Sequence, residues 1–131
     1  MSTNPSKGVP NLIQSKSSLP KLPVRFYRST EGREPVRDWL KALPDADRKK
    51  MGDEIRVVQF GWPVGMPLVR KLGADLWEVR VTLPSRRARV LFTVEGDAAV
   101  LLHGFIKQSQ KTPKEDLELA QRRLKTVQSK T

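Results

Sequence analysis

The spacing of hydrophobic residues predicts two helices in the first half of the chain. From Glu34 onward the apolar positions recur at i, i+3, i+4 and i+7, the stripe of an amphipathic helix: Val36, Trp39, Leu40 and Leu43. Pro44 ends this helix, and Asp45 follows as the N-cap of a second one. The second helix has an apolar face and stops at the Gly-Trp-Pro sequence of residues 61–63. Because the connection is short, the two helices are expected to form an antiparallel hairpin.

Runs rich in valine and leucine predict strands at residues 24–27, 68–72, 76–83, 88–95 and 99–106. The later runs are separated by short turns that contain glycine, proline or aspartate, which favours antiparallel hairpins. Helices followed by a series of strands predict an α+β domain, with the helices grouped on one side of a sheet.

A third helix is predicted near the C-terminal end of the chain. Thr112, Pro113 and Glu115 have the spacing of a capping box with proline in the first turn. The helix that follows is expected to bury Leu117, Ala120 and Leu124. The preceding strand then ends near residue 106, and strand exits often carry binding groups. This exit is therefore a candidate anion site, formed by Lys107, Gln108, Gln110 and Lys111.

Strand alternation collects the basic residues on one face of the sheet. In the strand at residues 76–83, Trp77, Val79 and Val81 share a face opposite Arg80, and in the last strand Val100, Leu102, Gly104 and Ile106 oppose the odd-numbered residues. The apolar sets are expected to pack against the helices. The other face then carries cations and rings suited to gripping phosphates and stacking a base: Arg80, Arg87, Arg89, His103, Phe105 and Lys107.

Composition narrows the partners of this face. The 131 residues include 25 lysines and arginines against 14 acidic residues, a formal net charge of +11, which favours nucleic acid or an acidic protein as partner. With no cysteine, disulfides, thiolate catalysis and zinc–thiolate sites are excluded. A single histidine disfavours a transition-metal site, so no cofactor is expected.

The N-terminal residues 1–22 are rich in serine, proline and lysine and contain no acidic residue. They are predicted to form a flexible basic arm ahead of a single domain at residues 23–127. The arm lacks the apolar core of a signal peptide, and no apolar run approaches the roughly 18 residues that cross a membrane. A cytoplasmic protein without a membrane partner is therefore expected.

Each candidate also has an ordinary structural reading. His103 lies among apolar residues, as partly buried structural histidines do, and arginines around a hairpin can protect strands from aggregation. Lys107 and Lys111 could be solvated loop lysines, and the net charge could serve solubility alone. The case for an RNA-binding face depends on the convergence of these residues.

Several blocks of the chain resemble one known family. LWEVR at residues 76–80 and LLHGFIKQSQKTP at residues 101–113, together with residues 69–72 and 89–92, are similar to the phage-derived, HigB-like branch of the RelE/HigB toxin superfamily. The similarity runs in consistent order from Val24 to Leu124. It implies a curved antiparallel sheet of about four strands, backed by an N-terminal helical hairpin and a C-terminal helix.

The resemblance also implies a function. It suggests the toxin of a type II toxin–antitoxin system. Such a toxin is a metal-independent endoribonuclease that cleaves mRNA at the ribosome and so inhibits translation. The implied partners are an antitoxin with a helix-turn-helix domain, mRNA and the ribosome. Operator DNA is expected to be bound only through the toxin–antitoxin complex.

In that chemistry the RNA 2′-OH attacks the adjacent phosphate, so protons must move and charge on phosphorus must be stabilised. The resemblance assigns Arg80 and Arg89 to the phosphate, Lys71 to phosphate contact or proton transfer, and either Lys107 or Lys111 to proton donation. His103 is the most reactive group near neutral pH. Arg87, Phe105 and Gln110 complete the expected RNA-binding set, with Phe105 stacking on a base. The only tyrosine is Tyr27, far from the late-strand position where relatives often carry one, so no general base is assigned.

Two other functions remain open. The same face could hold RNA or a protein partner without cleaving anything. DNA binding by the chain alone is a weaker alternative, because the basic residues lie on a predicted sheet and no recognition helix is evident.

Overall fold

The computed structural model describes residues 19–108 and 110–130 as a five-stranded sheet with helices on both faces. The helices are α1 (Pro35–Lys41), α2 (Asp45–Gly61) and α3 (Lys114–Ser129). The strands are β1 (Val24–Phe26), β2 (Val69–Gly73), β3 (Leu76–Thr82), β4 (Arg87–Glu95) and β5 (Ala98–Lys107). The mixed α+β class is confirmed. Most of the predicted N-terminal arm, residues 1–18, lies outside the described residues.

The strand order across the sheet is β1-β5-β4-β3-β2. Strands β2 to β5 form an antiparallel meander, as the short turns predict, and Gly96 supports the β4–β5 turn with a φ of +63°. Strand β1 pairs in parallel with β5, the last strand of the meander, at the edge of the sheet opposite β2. The sheet therefore has five strands, where about four were expected.

The helices cover opposite faces of the sheet, so the expectation that they group on one side is wrong. The hairpin of α1 and α2 packs on a core that contains Val79, Val90 and Phe92. Helix α3 packs on a separate core that contains Leu76, Leu91 and Leu102. The physical reason is that the central strands are apolar on both faces, so each face has to be covered.

A β-bulge in β5 changes which residues share a face. Leu91 pairs with His103 and Phe92 with Leu101, which leaves Leu102 as an extra residue on β5. The alternation is therefore reversed at this point. Val100 and Leu102 belong to the α3 core, whereas Ile106 packs against the hairpin core, so the prediction that they share one face is wrong.

The predicted N-caps are also wrong. The cap positions of α2 and α3 are occupied by Pro44 and Pro113, and neither helix has a side-chain cap. Asp45 lies inside the first turn of α2, and Glu115 inside that of α3, where acidic groups favourably oppose the helix dipole. The hydroxyl of Thr112 is used elsewhere, because it donates to a carboxylate of the sheet.

Candidate functional site

Two pairs of like-charged residues lie directly opposite each other at one end of the sheet. Arg80 of β3 is the register partner of Arg89 on β4, and Arg87 of β4 is the register partner of Lys107 on β5. Like charges in directly opposed positions destabilise a sheet. These four cations therefore concentrate positive charge at this end of the sheet, where the repulsion within each pair has to be offset by other groups.

The first pair opens into a cavity of about 530 Å³. Helix α2, the α2–β2 loop and the ends of β3 and β4 surround it, and its polar lining comes from Lys50, Glu54, Arg80, Thr82, Arg87 and Arg89. A second cavity of about 620 Å³ adjoins it, because Arg87 lines both. The second cavity also includes Arg86, Lys107, Gln108 and Gln110. We call the two cavities together the basic groove.

Glu78 supplies the negative charge beside these cations. Its side chain is only 1% exposed, and its Oε1 lies 3.9 Å from the Nε of Arg80 and 3.9 Å from the Nε of Arg89. Its Oε2 accepts a hydrogen bond of 2.8 Å from Thr112 Oγ1. One buried carboxylate thus faces two arginines of the groove and one residue of the β5–α3 connector.

Arg89 is the most buried cation of the groove, with an exposed fraction of 4%. Its Nη1 donates to the carbonyl of Ala88 at 2.9 Å. Burial lowers the pKa of Arg89, and the neighbouring Arg80 and Arg87 lower it further, against the opposing effect of Glu78. Within the described part of the chain, the buried Nε atoms of Arg80 and Arg89 have no hydrogen-bond partner. Both Nε atoms face Glu78 Oε1 at 3.9 Å, which is too long for a hydrogen bond, so their attraction to the carboxylate is purely electrostatic.

Lys107 stands at the β5 end of the groove, and its ammonium donates to the carbonyl of Gln110. Partial burial lowers the pKa of Lys107, and Arg89, Arg80 and Arg87 lower it further, while Glu78 raises it. A lysine in this environment gives up a proton more readily than one in water. Lys107 can therefore bind a phosphate or supply a proton.

His103 and Phe105 are engaged in packing. His103 Nε2 lies 2.6 Å from Asp116 Oδ1 of α3, and its ring stacks on Phe105 with centroids 5.4 Å apart. Phe105 is 7% exposed and belongs to the α3 core. The structure therefore uses both rings to attach α3 to the sheet, and the Phe105 ring has no open face for a base.

Lys71 lies away from the other candidates. It pairs in register with Trp77, and its ammonium is 5.6 Å from the centre of that indole ring. Trp77 packs with the hairpin core, so Lys71 is on the face of the sheet opposite Arg80 and Arg89. Gln110 lines the groove, and Lys111 is exposed in the connector beside it.

The sequence did not identify Lys50, Glu78 or Thr112 as site residues. Lys50 is four residues from Glu54, a spacing that reads as an ordinary surface ion pair on a helix. Thr112 resembles a helix cap. Only Glu78 could have been recognised from the sequence. A carboxylate between Trp77 and Val79 in a central strand is expected to be buried, and a buried carboxylate needs a partner inside the protein.

Neither a metal-binding cluster of side chains nor a membrane-spanning helix is found among the described residues. Over residues 19–108 and 110–130, no group of three or more histidine, aspartate or glutamate side chains could hold a metal ion. None of the helices described is both long enough and apolar enough to cross a bilayer.

Comparison with known proteins adds one match. The model of the family described as phage-derived protein Gp49-like (DUF891) matches residues 38–125. The matched segment begins inside α1, contains the whole basic groove and ends inside α3. No curated protein matches the chain.

Proposed function

The chain belongs to the Gp49-like phage-derived family, within the RelE/HigB-like toxin superfamily, and on this basis we propose that it is a toxin that cleaves mRNA. Its family implies an antitoxin as partner. The proposal adds that the antitoxin carries a helix-turn-helix domain and that the ribosome presents the mRNA, so that cleavage inhibits translation in the cytoplasm.

One observation supports an RNA substrate above all. The opposed pairs Arg80–Arg89 and Arg87–Lys107 line the two cavities of the basic groove, although opposed like charges cost a sheet stability. Groups that destabilise a fold are usually kept for function. An RNA backbone offers a phosphate at every nucleotide and would satisfy both pairs at once.

The residues suit a metal-independent reaction. Attack of the 2′-OH on the adjacent phosphate forms a bond from O2′ to phosphorus and breaks the bond from phosphorus to O5′. Arg80 and Arg89 stabilise the charge that develops on the phosphate oxygens. Lys107 donates a proton to the departing O5′, and the products are a 2′,3′-cyclic phosphate and a 5′-OH. The residue that takes the 2′ proton is not assigned.

A binding-only function is the second candidate, and one observation favours it. His103, the group best suited to proton transfer near neutral pH, is hydrogen-bonded to Asp116 and lies outside the groove lining. The groove could therefore hold RNA without cutting it.

Arg87→Ala tests the groove, because Arg87 is exposed and lines both cavities. We expect this variant to bind a 2′-O-methylated single strand about tenfold more weakly, the effect of about 1.4 kcal/mol, and to cut the unmodified strand more slowly in EDTA. Fluorescence anisotropy measures the binding, and mapping of the RNA ends measures the cleavage.

Arg56→Ala is the matched control, since it removes the same charge from an exposed position on α2 outside both cavities. Equal losses in the two variants would contradict the groove as the RNA site. Tight RNA binding by the wild type with no cleavage product would favour the binding-only function. Intact transcripts in cells arrested by the protein would also count against the endonuclease.

A further inference from the structure

Glu78 is the acidic group on which the two sides of the basic groove converge. Arg80 and Arg89 approach its Oε1, and Thr112 of the connector donates to its Oε2. The side chain is 1% exposed, so it cannot itself touch a bound RNA. Any effect of Glu78 on the groove must act through these neighbours.

Burial makes these contacts costly to lose. A carboxylate removed from water is costly unless cations and hydrogen-bond donors surround it. Here Glu78 has two arginines at 3.9 Å and one hydroxyl at 2.8 Å. Moving either arginine or the hydroxyl away would leave a buried charge with fewer partners, so all three are held in place.

The Thr112 contact extends this restraint to the far side of the groove. Thr112 is separated from Glu78 by 34 positions in the sequence and lies in the connector between β5 and α3. The same connector contains Gln110, which lines the groove. Its backbone carbonyl accepts a hydrogen bond from the ammonium of Lys107. A continuous series of contacts therefore runs from Arg80 and Arg89 through Glu78 to the connector and Lys107.

We propose that Glu78 is the positioning residue of the groove, and that its hydrogen bond to Thr112 sets the connector against the Arg80–Arg89 pair at the separation an RNA strand requires. This role rests on the proposed RNA-binding function. In this role the buried carboxylate does more than neutralise its neighbours, because it aligns the phosphate-binding arginines with the proton-donating lysine.

The connector arm of the experiment uses a spin label. Because the chain contains no cysteine, Gln108→Cys gives one attachment site at the start of the connector. We expect Thr112→Val to increase the motion of this label, seen as a narrower electron paramagnetic resonance spectrum, and Thr112→Ser to restore it because the hydroxyl is retained. The thermal midpoint of Thr112→Val should fall by several degrees because the buried carboxylate loses a donor, so the spectra are compared at a temperature where every variant is folded. Unchanged label motion in Thr112→Val would overturn the proposal.

The binding arm uses the unlabelled full chain and a 2′-O-methylated single strand. Thr112→Val should lower its affinity several-fold, on the order of tenfold if the whole hydrogen bond to a charged group is expressed, and Thr112→Ser should recover it. An affinity unchanged by Thr112→Val would also overturn the proposal, because the connector would then not need its anchor.

Glu78→Gln separates positioning from simple stability. Glutamine keeps an oxygen for Thr112 but removes the charge that holds Arg80 and Arg89, so kcat should fall while KM stays the same or decreases with the added net positive charge. A kcat that falls only in proportion to the loss of folded protein would count against the role. Should the wild type bind RNA without cutting it, the endonuclease proposal fails, while the Thr112 series still supports or overturns the positioning role.

Discussion

Several side chains have roles that depend on neighbours far away in the sequence. In the sequence Glu78 is a single acidic residue in a strand. In the structure it is buried beside Arg80 and Arg89 and accepts a hydrogen bond from Thr112. His103 reads as a catalyst, yet it is bonded to Asp116 of α3. A residue's chemistry is set by what surrounds its functional atoms, and for these residues the surroundings come from other elements.

Lys107 provides a pH-dependent prediction at this scale. Its folded-state pKa is lowered, so the folded chain binds fewer protons than the unfolded chain just below the usual lysine value of 10.5. The charged lysine therefore costs stability at neutral pH, and the cost disappears as pH rises through the folded-state pKa toward 10.5. Lys107→Gln removes this cost. Its stability relative to wild type should decrease as pH rises from 7 to 10, measured by urea unfolding.

Lys125→Gln is the control for this experiment, because it removes the same charge from the exposed surface of α3. It also leaves the groove intact. The explanation fails if both variants show the same change with pH, since the effect would then come from net charge and not from the surroundings of Lys107.

At the scale of elements, the approach of α1 to β5 depends on one glycine. A Cβ atom built at Gly104 would lie 2.5 Å from Cε3 and 2.7 Å from Cζ3 of Trp39. The indole is a rigid ring and part of the hairpin core, so it cannot move aside cheaply. Gly104 therefore allows α1 to pack directly on the strand that carries Lys107.

Gly104→Ala is expected to destabilise the protein by about 1–3 kcal/mol, the usual effect of overpacking a core. The measurement is the midpoint of urea unfolding. Gly73→Ala is the matched control in a strand, because a Cβ at Gly73 meets nothing within 4 Å. A loss of stability at Gly73 as large as at Gly104 would show that the effect comes from strand glycines in general and not from contact with Trp39.

At the scale of the whole molecule, the packed core and the basic groove occupy different parts of the sheet. Each face of the sheet is covered by helices, and the basic groove lies at one end of the sheet, between α2, the ends of β3, β4 and β5 and the β5–α3 connector. A formal net charge of +11 adds a long-range attraction for any polyanion. On the proposed function, packing sets where RNA binds, and the net charge sets how strongly RNA is attracted to that place.

Salt dependence tests this view. For a single strand, each neutralised phosphate contributes a slope of about −0.7 to a plot of log affinity against log salt. We expect a slope of about −2 for wild type if the groove neutralises about three phosphates, and a slope smaller by about 0.7 in Arg87→Ala. Anisotropy titrations across a range of salt provide the slopes. A flat dependence would show that phosphates are not what the groove binds.

Local patterns account for the parts of the structure that were predicted correctly. The helical and the alternating spacing of apolar residues, with the turn residues between them, predicted the helices and strands of the described chain. These elements depend on neighbours only a few positions away in the sequence. The same alternation correctly placed Arg80, Arg87, Arg89 and Lys107 together at the end of the sheet. The helix caps, the facing of β5 and the grouping of the helices on one side were wrong, and the resemblance implied about four strands where the sheet has five.

By itself, the sequence determined the α+β class, the meander and the family with its basic face, since these follow from composition, local spacing and the order of motifs along this chain. Only the tertiary structure decided that α3 covers the opposite face from the hairpin and that a bulge at Leu102 reverses β5. It also decided that Glu78 joins Thr112. These features arise from contacts between residues tens of positions apart, whose free energy depends on packing that no local pattern records.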